Sequence, residues 1–345
     1  MDSSLLDHAA ELYGISPAQL KPLTGGHFTQ VYFFSREGRE YVLRITPPNK
    51  EIGLPAMLSI LDWICFLSAH GAPVARPLPS VRGSLIEVLE EEQQSNVVAA
   101  FEKAQGILAE ELPIDQWDEA LFESLGRAAG RLHAIAKKYS SPQGTLRRPE
   151  WGQLDNCYHC HEALDSGSLL IRQKREQARQ AVAALPKEPG AYGLIHGDLH
   201  FANFFVDVEH HSITLFDFDD CCYGWYAMDI AMGVFDLLVL YSGPDRAGYV
   251  RRFLQSYLKG YLAENRLDAY WIGRLPLFLK LLEVEVYAML QPYDPGTPDS
   301  WGERFMAGRA KRIEHDTPYV EVDFEAIYRL ASQPGVVVPV SRGRE

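Results

Sequence analysis

Two short apolar runs near the middle of the chain end in carboxylates and amides, and this constrains what the chain can build more than any other stretch. In LIHGDLHFANFFVDVEHHSITLFDFDD (Leu194 to Asp220), Asp198 and Asn203 follow the first run and Asp217 follows SITLF. A short strand, a loop and a β-hairpin turning near His210 and His211 account for the pattern. Such a hairpin brings Asn203, before its first strand, close to Asp217, after its second, with Asp198 on the same loop. Two hard oxygen ligands beside a third carboxylate suit Mg²⁺, which uses one or two carboxylates plus substrate phosphates. The third carboxylate is then placed to take a proton from a hydroxyl. The competing reading is that these residues only cap elements, as Asp and Asn often do. The three together, in this order, favour a site.

Up to about residue 104 the chain alternates β-like runs with turns. Gly25 and Gly26 precede the run Val31 to Phe34, REGR (Arg36 to Arg39) reads as a turn, and EYVLRI (Glu40 to Ile45) as the returning strand. MLSILDWICFLSAHG (Met57 to Gly71) has helical spacing, with Gly71 where a C-cap belongs. VARPLPS, GSLIEVLE and NVVAAFEKA read as further strands. Beyond Gly106 the spacing is helical over Asp118 to Tyr139, Ser168 to Leu185, Val250 to Leu262 and Leu275 to Leu290. The fold class is α+β: a mostly antiparallel sheet with one inserted helix, joined to a helical second lobe.

A composition 47% hydrophobic and 23% charged over 345 residues fits a packed globular protein. The net charge of −13 argues against nucleic acid or an anionic membrane as partner, since both need a basic face. The N-terminal MDSSLLDHAAELYG is acidic and amphipathic, unlike a secretory signal. The run Ile230 to Tyr241 is broken by Asp236 and falls short of the roughly 18 apolar residues a membrane helix needs. Five cysteines without a signal favour reduced thiols, so a cytoplasmic location is expected.

HGDLHFAN (His196 to Asn203) followed by DFDD (Asp217 to Asp220) resembles the Brenner-type motif of the aminoglycoside phosphotransferase and choline kinase family. Members are small-molecule relatives of the protein kinases, and the resemblance runs across most of the chain. It implies a bilobal protein-kinase-like fold, with a nucleotide-binding lobe over 1–103 and a catalytic and substrate-binding helical lobe over 104–345. It implies ATP and Mg²⁺ as cofactors. The acceptor it implies is a hydroxyl of a small molecule: an amino alcohol, an amino acid such as homoserine, a sugar or an aminoglycoside. By this resemblance Asp198 is the catalytic base, Asn203 and Asp217 are metal ligands, and His196 and Asp229 brace the loop. Gly25 and Gly26 stand at the phosphate loop, and Arg44 at the strand cation that grips the phosphates. VVAAFEKAQG stands at the hinge, its backbone from Ala100 through Glu102 to Lys103 meeting adenine. Asp219, Asp220, Tyr223 and Trp225 are candidates for the substrate side. One departure stands out: the helix glutamate that pairs with the strand cation falls at Ile60. The nearest acids are Asp62 and Glu51, and two positions along a helix change the facing direction by about 200°.

Several features have plainer readings. CYHCH (Cys157 to His161) fits a haem-attachment pattern, but zinc would need four ligands and no second Cys/His pair at metal spacing appears. Packed or solvent-facing residues are the expectation there. Cys221 and Cys222 read as small apolar fillers. Tyr223, Trp225 and Tyr226 either receive a cationic headgroup or pack the second lobe. His133 reads as a packed core histidine and His200 as a loop-shaping residue. Glu283 and Glu285 face a cleft or pair with Lys280. Other functional readings are a protein Ser/Thr kinase of the same superfamily, a nucleotide-binding pseudokinase, and a metal hydrolase that works without ATP.

Overall fold

The computed structural model describes residues 3–23, 29–47, 53–91, 94–153, 169–291 and 301–333. Gly25, Gly26, Glu51 and the CYHCH segment lie outside the described residues.

Helix α1 (Ser3–Leu12) leads into strand β1 (Lys21–Leu23) and then the hairpin of β2 (Gln30–Arg36) and β3 (Arg39–Thr46). The pairing runs from Gln30↔Ile45 to Arg36↔Arg39. Glu37 and Gly38 at the tip have φ of 54° and 75°, so the turn twists with the strands as a type I′ turn does. Helix α2 (Leu54–Ala69) follows, then β4 (Pro77–Leu78), β5 (Glu87–Glu91) and β6 (Gln94–Glu102). The strands order β1-β2-β3-β6-β4, with β5 also on β6. Every pairing is antiparallel. Gly71 lies just past α2 with φ of 79°.

Alternation decides which face each strand residue serves. Tyr41, Leu43 and Ile45 join Val98 and Ala100 in a core against α1. Arg44, between two of them and paired with Ala99, therefore faces the other side. Val97 and Ala99 on that side join a second core, to which α2 contributes Ile60, Leu61, Trp63, Ile64 and Leu67. The same core continues through the helical region, so α2 is packed into both halves of the fold.

The helical region begins with β7 (Ile107–Leu108) and α3 (Glu119–Ala136), whose N-cap Asp118 accepts the Leu121 N–H at 2.8 Å. Next come α4 (Leu169–Ala183), β8 (Tyr192–Ile195), the hairpin β9 (Phe204–Asp207) and β10 (Ser212–Leu215), and β11 (Cys222–Trp225). Helices α5 (Tyr226–Leu240), α6 (Arg246–Glu264), α7 (Ala269–Ile272), α8 (Leu275–Leu290), α9 (Trp301–Met306), α10 (Arg309–Glu314) and α11 (Phe324–Ala331) complete it. No helix among the described residues is long and apolar enough to cross a membrane. Helices α3 and α6 touch backbone to backbone: a Cβ on Gly126 would lie 1.8 Å from the Tyr257 carbonyl oxygen, and one on Gly260 would lie 1.9 Å from that of Glu123.

Both acids of α8 are buried and held by arginines rather than facing a cleft. Glu285 accepts from Arg175 Nε at 2.7 Å and Arg179 Nη1 at 2.9 Å, and Glu283 from Arg309 Nη1 at 2.7 Å. Lys280 pairs with Asp316 instead. These contacts pin α8 to α4 and α10.

Candidate active site

The β9–β10 hairpin forms in the register Phe204↔Leu215 to Asp207↔Ser212. Its open end closes where the Phe216 N–H donates to the Asn203 carbonyl at 3.1 Å, which brings the approaches to Asn203 and Asp217 together. Asp217 itself has φ of 62°, a left-handed conformation that Asp tolerates better than most residues.

The loop between β8 and β9 is held from beneath by α5. Asp229, 1% exposed, accepts the His196 N–H on Oδ2 at 2.9 Å and the Gly197 N–H on Oδ1 at 3.0 Å. His133 Nε2 lies 3.0 Å from the same Oδ2, and its Nδ1 lies 2.9 Å from Tyr261 Oη. Burial lowers the His133 pKa against the opposing pull of Asp229, so a neutral ring fills this site. Two α5 turns on, Asp236 accepts the Phe201 N–H at 2.7 Å. His196 Nε2 lies 3.0 Å from the Phe216 carbonyl oxygen, which ties the loop to the hairpin. Gly197 has φ of 86°, and a Cβ there would lie 2.2 Å from the Asp220 carbonyl oxygen. Only glycine lets the loop pass the DFDD turn this closely.

Asp198 is thereby delivered beside Asn203. The Asn203 amide nitrogen donates to the Asp198 carbonyl at 2.8 Å and to its Oδ2 at 3.1 Å, so the amide oxygen is turned the other way. His200 Nε2 lies 3.1 Å from Asp198 Oδ2. Burial pulls the His200 pKa down, but the charge of Asp198 and its hydrogen bond push it up to about 9.

Across the cleft, Arg44 forks onto Asp219, with Nη2 2.6 Å from Oδ2 and Nη1 3.3 Å from Oδ1. Its Nη1 lies 3.6 Å from Asp217 Oδ1. Partial dehydration in the cleft raises the Asp217 pKa, Arg44 opposes it, and Asp219 and Asp198 raise it further. Two carboxylates, Asp217 and Asp219, thus share a single guanidinium while Asp198 adds its charge to that of Asp217, an arrangement that a divalent cation relieves. Among the described residues no three His, Cys, Asp or Glu side chains converge as a metal cage. A cation at Asn203 and Asp217 would therefore complete its shell with waters and phosphate oxygens, the habit of Mg²⁺ rather than of structural zinc.

The model of the phosphotransferase enzyme family, APH, matches residues 19–270. The chain belongs to this phosphotransferase family. The phosphotransferase is 31% identical over 330 residues to the amicoumacin kinase of Bacillus subtilis (strain 168), spanning 94% of this chain and 96% of that protein. It superposes on a solved amicoumacin kinase in complex with AMP-PNP, Ca²⁺ and Ami with a TM-score of 0.85 at 31% identity, covering 94% and 97% of the two chains. It is 28% identical over 290 residues to the homoserine kinase of Burkholderia ambifaria (strain MC40-6), covering 77% and 81%. A spectinomycin phosphotransferase shares the fold, with a TM-score of 0.58 at 15% identity over 95% and 97% of the chains. The phosphotransferase is accordingly an enzyme of the kinase type, with the N-terminal antiparallel sheet and helical C-terminal region of its family.

Several residues of the phosphotransferase stand elsewhere than the sequence predicts. Ala100 lies inside the sheet with its side chain in the α1 core. The Glu102 N–H is taken by the Arg76 carbonyl at 2.8 Å and the Lys103 N–H by that of Glu40 at 3.0 Å. The backbone beyond the ladder therefore starts at Ala104. Trp225, 2% exposed, packs on Trp151, Tyr192 and Phe278 and donates to the Pro186 carbonyl at 3.0 Å, so it is core rather than pocket lining. The Tyr223 ring already carries a cation, the Arg147 guanidinium 3.8 Å from its centroid. Asp219 is engaged by Arg44, and Asp220 is partly buried on the turn. Asp62, offered as a partner for Arg44, instead accepts from Tyr139 Oη at 2.6 Å, while Tyr139 packs on Trp63 and Phe66.

Two contributors escape the sequence reading. Arg148 is buried and donates from Nε to the Cys221 carbonyl at 2.8 Å and from Nη2 to that of Asp219 at 2.9 Å, fixing the DFDD turn from the far side. No local pattern marks it. Asp236 did leave a signal, as an acid in the otherwise apolar run IAMGVFDLLVLY.

Proposed function

We propose that the protein transfers the γ-phosphate of Mg·ATP to a hydroxyl of a small molecule, with amicoumacin or a compound like it as the first candidate acceptor. The observation that carries this reading is the meeting of Asp198, Asn203 and Asp217 at one end of the β9–β10 hairpin, opposite Arg44. Asn203 Oδ1 and Asp217 would hold the metal, which supplies charge neutralisation between the phosphates. Arg44 and the loop containing Gly25 and Gly26 would grip the nucleotide between the lobes 1–103 and 104–345. Adenine would meet the backbone from Ala104 onward.

In this reading Asp198 accepts the proton of the acceptor hydroxyl as its oxygen attacks phosphorus. His200 and the Asn203 amide hold Asp198 in one orientation. Asp229 and Asp236 fix the loop that carries it, so most of the acceleration comes from positioning and electrostatics. The likeness to amicoumacin kinase over nearly the whole chain supports the choice of acceptor. Homoserine is the second candidate, on the weaker likeness to homoserine kinase.

The test is a coupled phosphate-transfer assay over amicoumacin, homoserine, amino alcohols, sugars and aminoglycosides, with Asp198→Asn and Asp217→Ala alongside. Asp198→Asn is expected to lose turnover by on the order of a hundredfold or more while retaining nucleotide affinity. Asp217→Ala is expected to weaken binding of the magnesium nucleotide. Near-normal turnover by Asp198→Asn on a true acceptor would remove Asp198 from the role of base.

A further inference from the structure

We propose that Asp219 is the positioning residue that aims Arg44 at the nucleotide phosphates, in place of an acid on the inserted helix. This rests on the reading above of Arg44 as the phosphate-binding cation.

The inserted helix supplies Arg44 with no carboxylate among the described residues. Ile60 is buried in the core, and Asp62 is bound by Tyr139 Oη. Arg44 would otherwise be a long side chain on the inner face of the sheet with many rotamers, whose entropy opposes ordering. Asp219 supplies the order by taking both terminal nitrogens of the fork at 2.6 and 3.3 Å. Both side chains are partly buried, 20% and 29% exposed, so water weakens this pair less than a surface pair. A guanidinium has five N–H donors, so the fork leaves donors over for phosphate oxygens. A lysine ammonium in the same place could not be gripped by two parallel bonds, which gives the arginine at position 44 a reason.

Asp219 is itself held. Arg148, 5% exposed, binds the Asp219 and Cys221 carbonyls from the C-terminal side. The chain of contacts Arg148–Asp219–Arg44 therefore runs from the helical region to the central strand of the sheet. The same turn carries Asp217, two residues before Asp219.

The experiment is titration of AMP-PNP, by calorimetry, into the unaltered protein, Asp219→Asn, Asp219→Glu, Arg44→Met and the double variant Arg44→Met/Asp219→Asn. Each is measured once in Mg²⁺ and once in EDTA, with thermal unfolding as a check on folding. Asp219→Asn is expected to weaken binding roughly tenfold in both media, because aiming Arg44 matters with or without metal. Asp219→Glu is expected to retain most of the affinity. The double variant is expected to bind within about twofold of Arg44→Met, since Asp219 acts only through Arg44. Should Asp219→Asn not fold, Arg44→Lys carries the test, with the same tenfold loss expected. A loss seen in Mg²⁺ but not in EDTA makes Asp219 a metal ligand and overturns the proposal, as do additive losses in the double variant. Equal affinity of Asp219→Asn and the unaltered protein overturns the proposal alone. No nucleotide binding by the unaltered protein overturns the kinase reading and this proposal with it.

Discussion

His133 Nε2 and Asp229 Oδ2 stand 3.0 Å apart with neither side chain open to solvent, and this pair anchors the candidate catalytic loop to α3 and α5. The carboxylate serves three donors at once: the ring, the His196 N–H and the Gly197 N–H. Asp229→Ala leaves all three without this acceptor, the His133 ring and the His196 N–H fully buried. The expected cost is about 3–5 kcal/mol of folding stability, with phosphate transfer falling alongside, read by calorimetric unfolding and the coupled assay. An unfolding midpoint close to that of the unaltered protein would show that the loop does not depend on this acid.

Glu150 gives a pH dependence with a definite sign. Burial raises its pKa, but hydrogen bonds from Lys187, Tyr192 and Arg147 outweigh it and bring the carboxyl down from 4.5 to about 2. A carboxyl held below its ordinary value adds stability that is complete above about 4.5 and fades as pH falls toward 2. Glu150→Gln is expected to flatten the dependence of the unfolding midpoint on pH within that window. A slope there as steep as in the unaltered protein would assign the acid sensitivity to other groups.

The α3–α6 contact sets a limit on volume. Alanine favours a helix interior over glycine by about 1 kcal/mol, yet at Gly126 its Cβ would sit 1.8 Å from the Tyr257 carbonyl oxygen. Backbone cannot give way as a side-chain tip can, so the clash wins. Gly126→Ala is expected to lose about 1–3 kcal/mol in denaturant unfolding. A stabilised variant would mean that the two helices can separate without cost.

Asp62 and Asp219 make opposite predictions about nucleotide. Asp62→Asn weakens the bond from Tyr139 and with it the hold of α2 on the helical region, a loss of about 1–2 kcal/mol in thermal unfolding. Its AMP-PNP affinity is expected to stay within about twofold of the unaltered protein, because Arg44 does not touch it. A tenfold loss of affinity would restore Asp62 as the partner of the strand cation.

Much of this site was open to a reader of the chain alone. The run EYVLRI read as a strand, and the runs FFVD and SITLF with their terminal acids specified a hairpin that brings Asn203 to Asp217. These are local consequences of a two-residue period and of turn chemistry, so neighbouring residues suffice to read them. Arg44 and Asp229 were placed by the resemblance to the family and not by local pattern. The partners of the charged groups were not. Arg148 meets Asp219, Tyr139 meets Asp62 and Glu285 meets Arg175 across separations of 71, 77 and 110 residues, and no periodicity links such pairs. Trp225 and Tyr223 show the same limit: each has the chemistry of a pocket wall, but packing against Trp151 and Arg147 uses their faces internally. The sequence by itself determined which backbone segments turn, pair and carry acids to one end of a hairpin. Only the tertiary structure decided which cation each acid answers, because a side chain's partner is whatever the packed core leaves within about 4 Å of it.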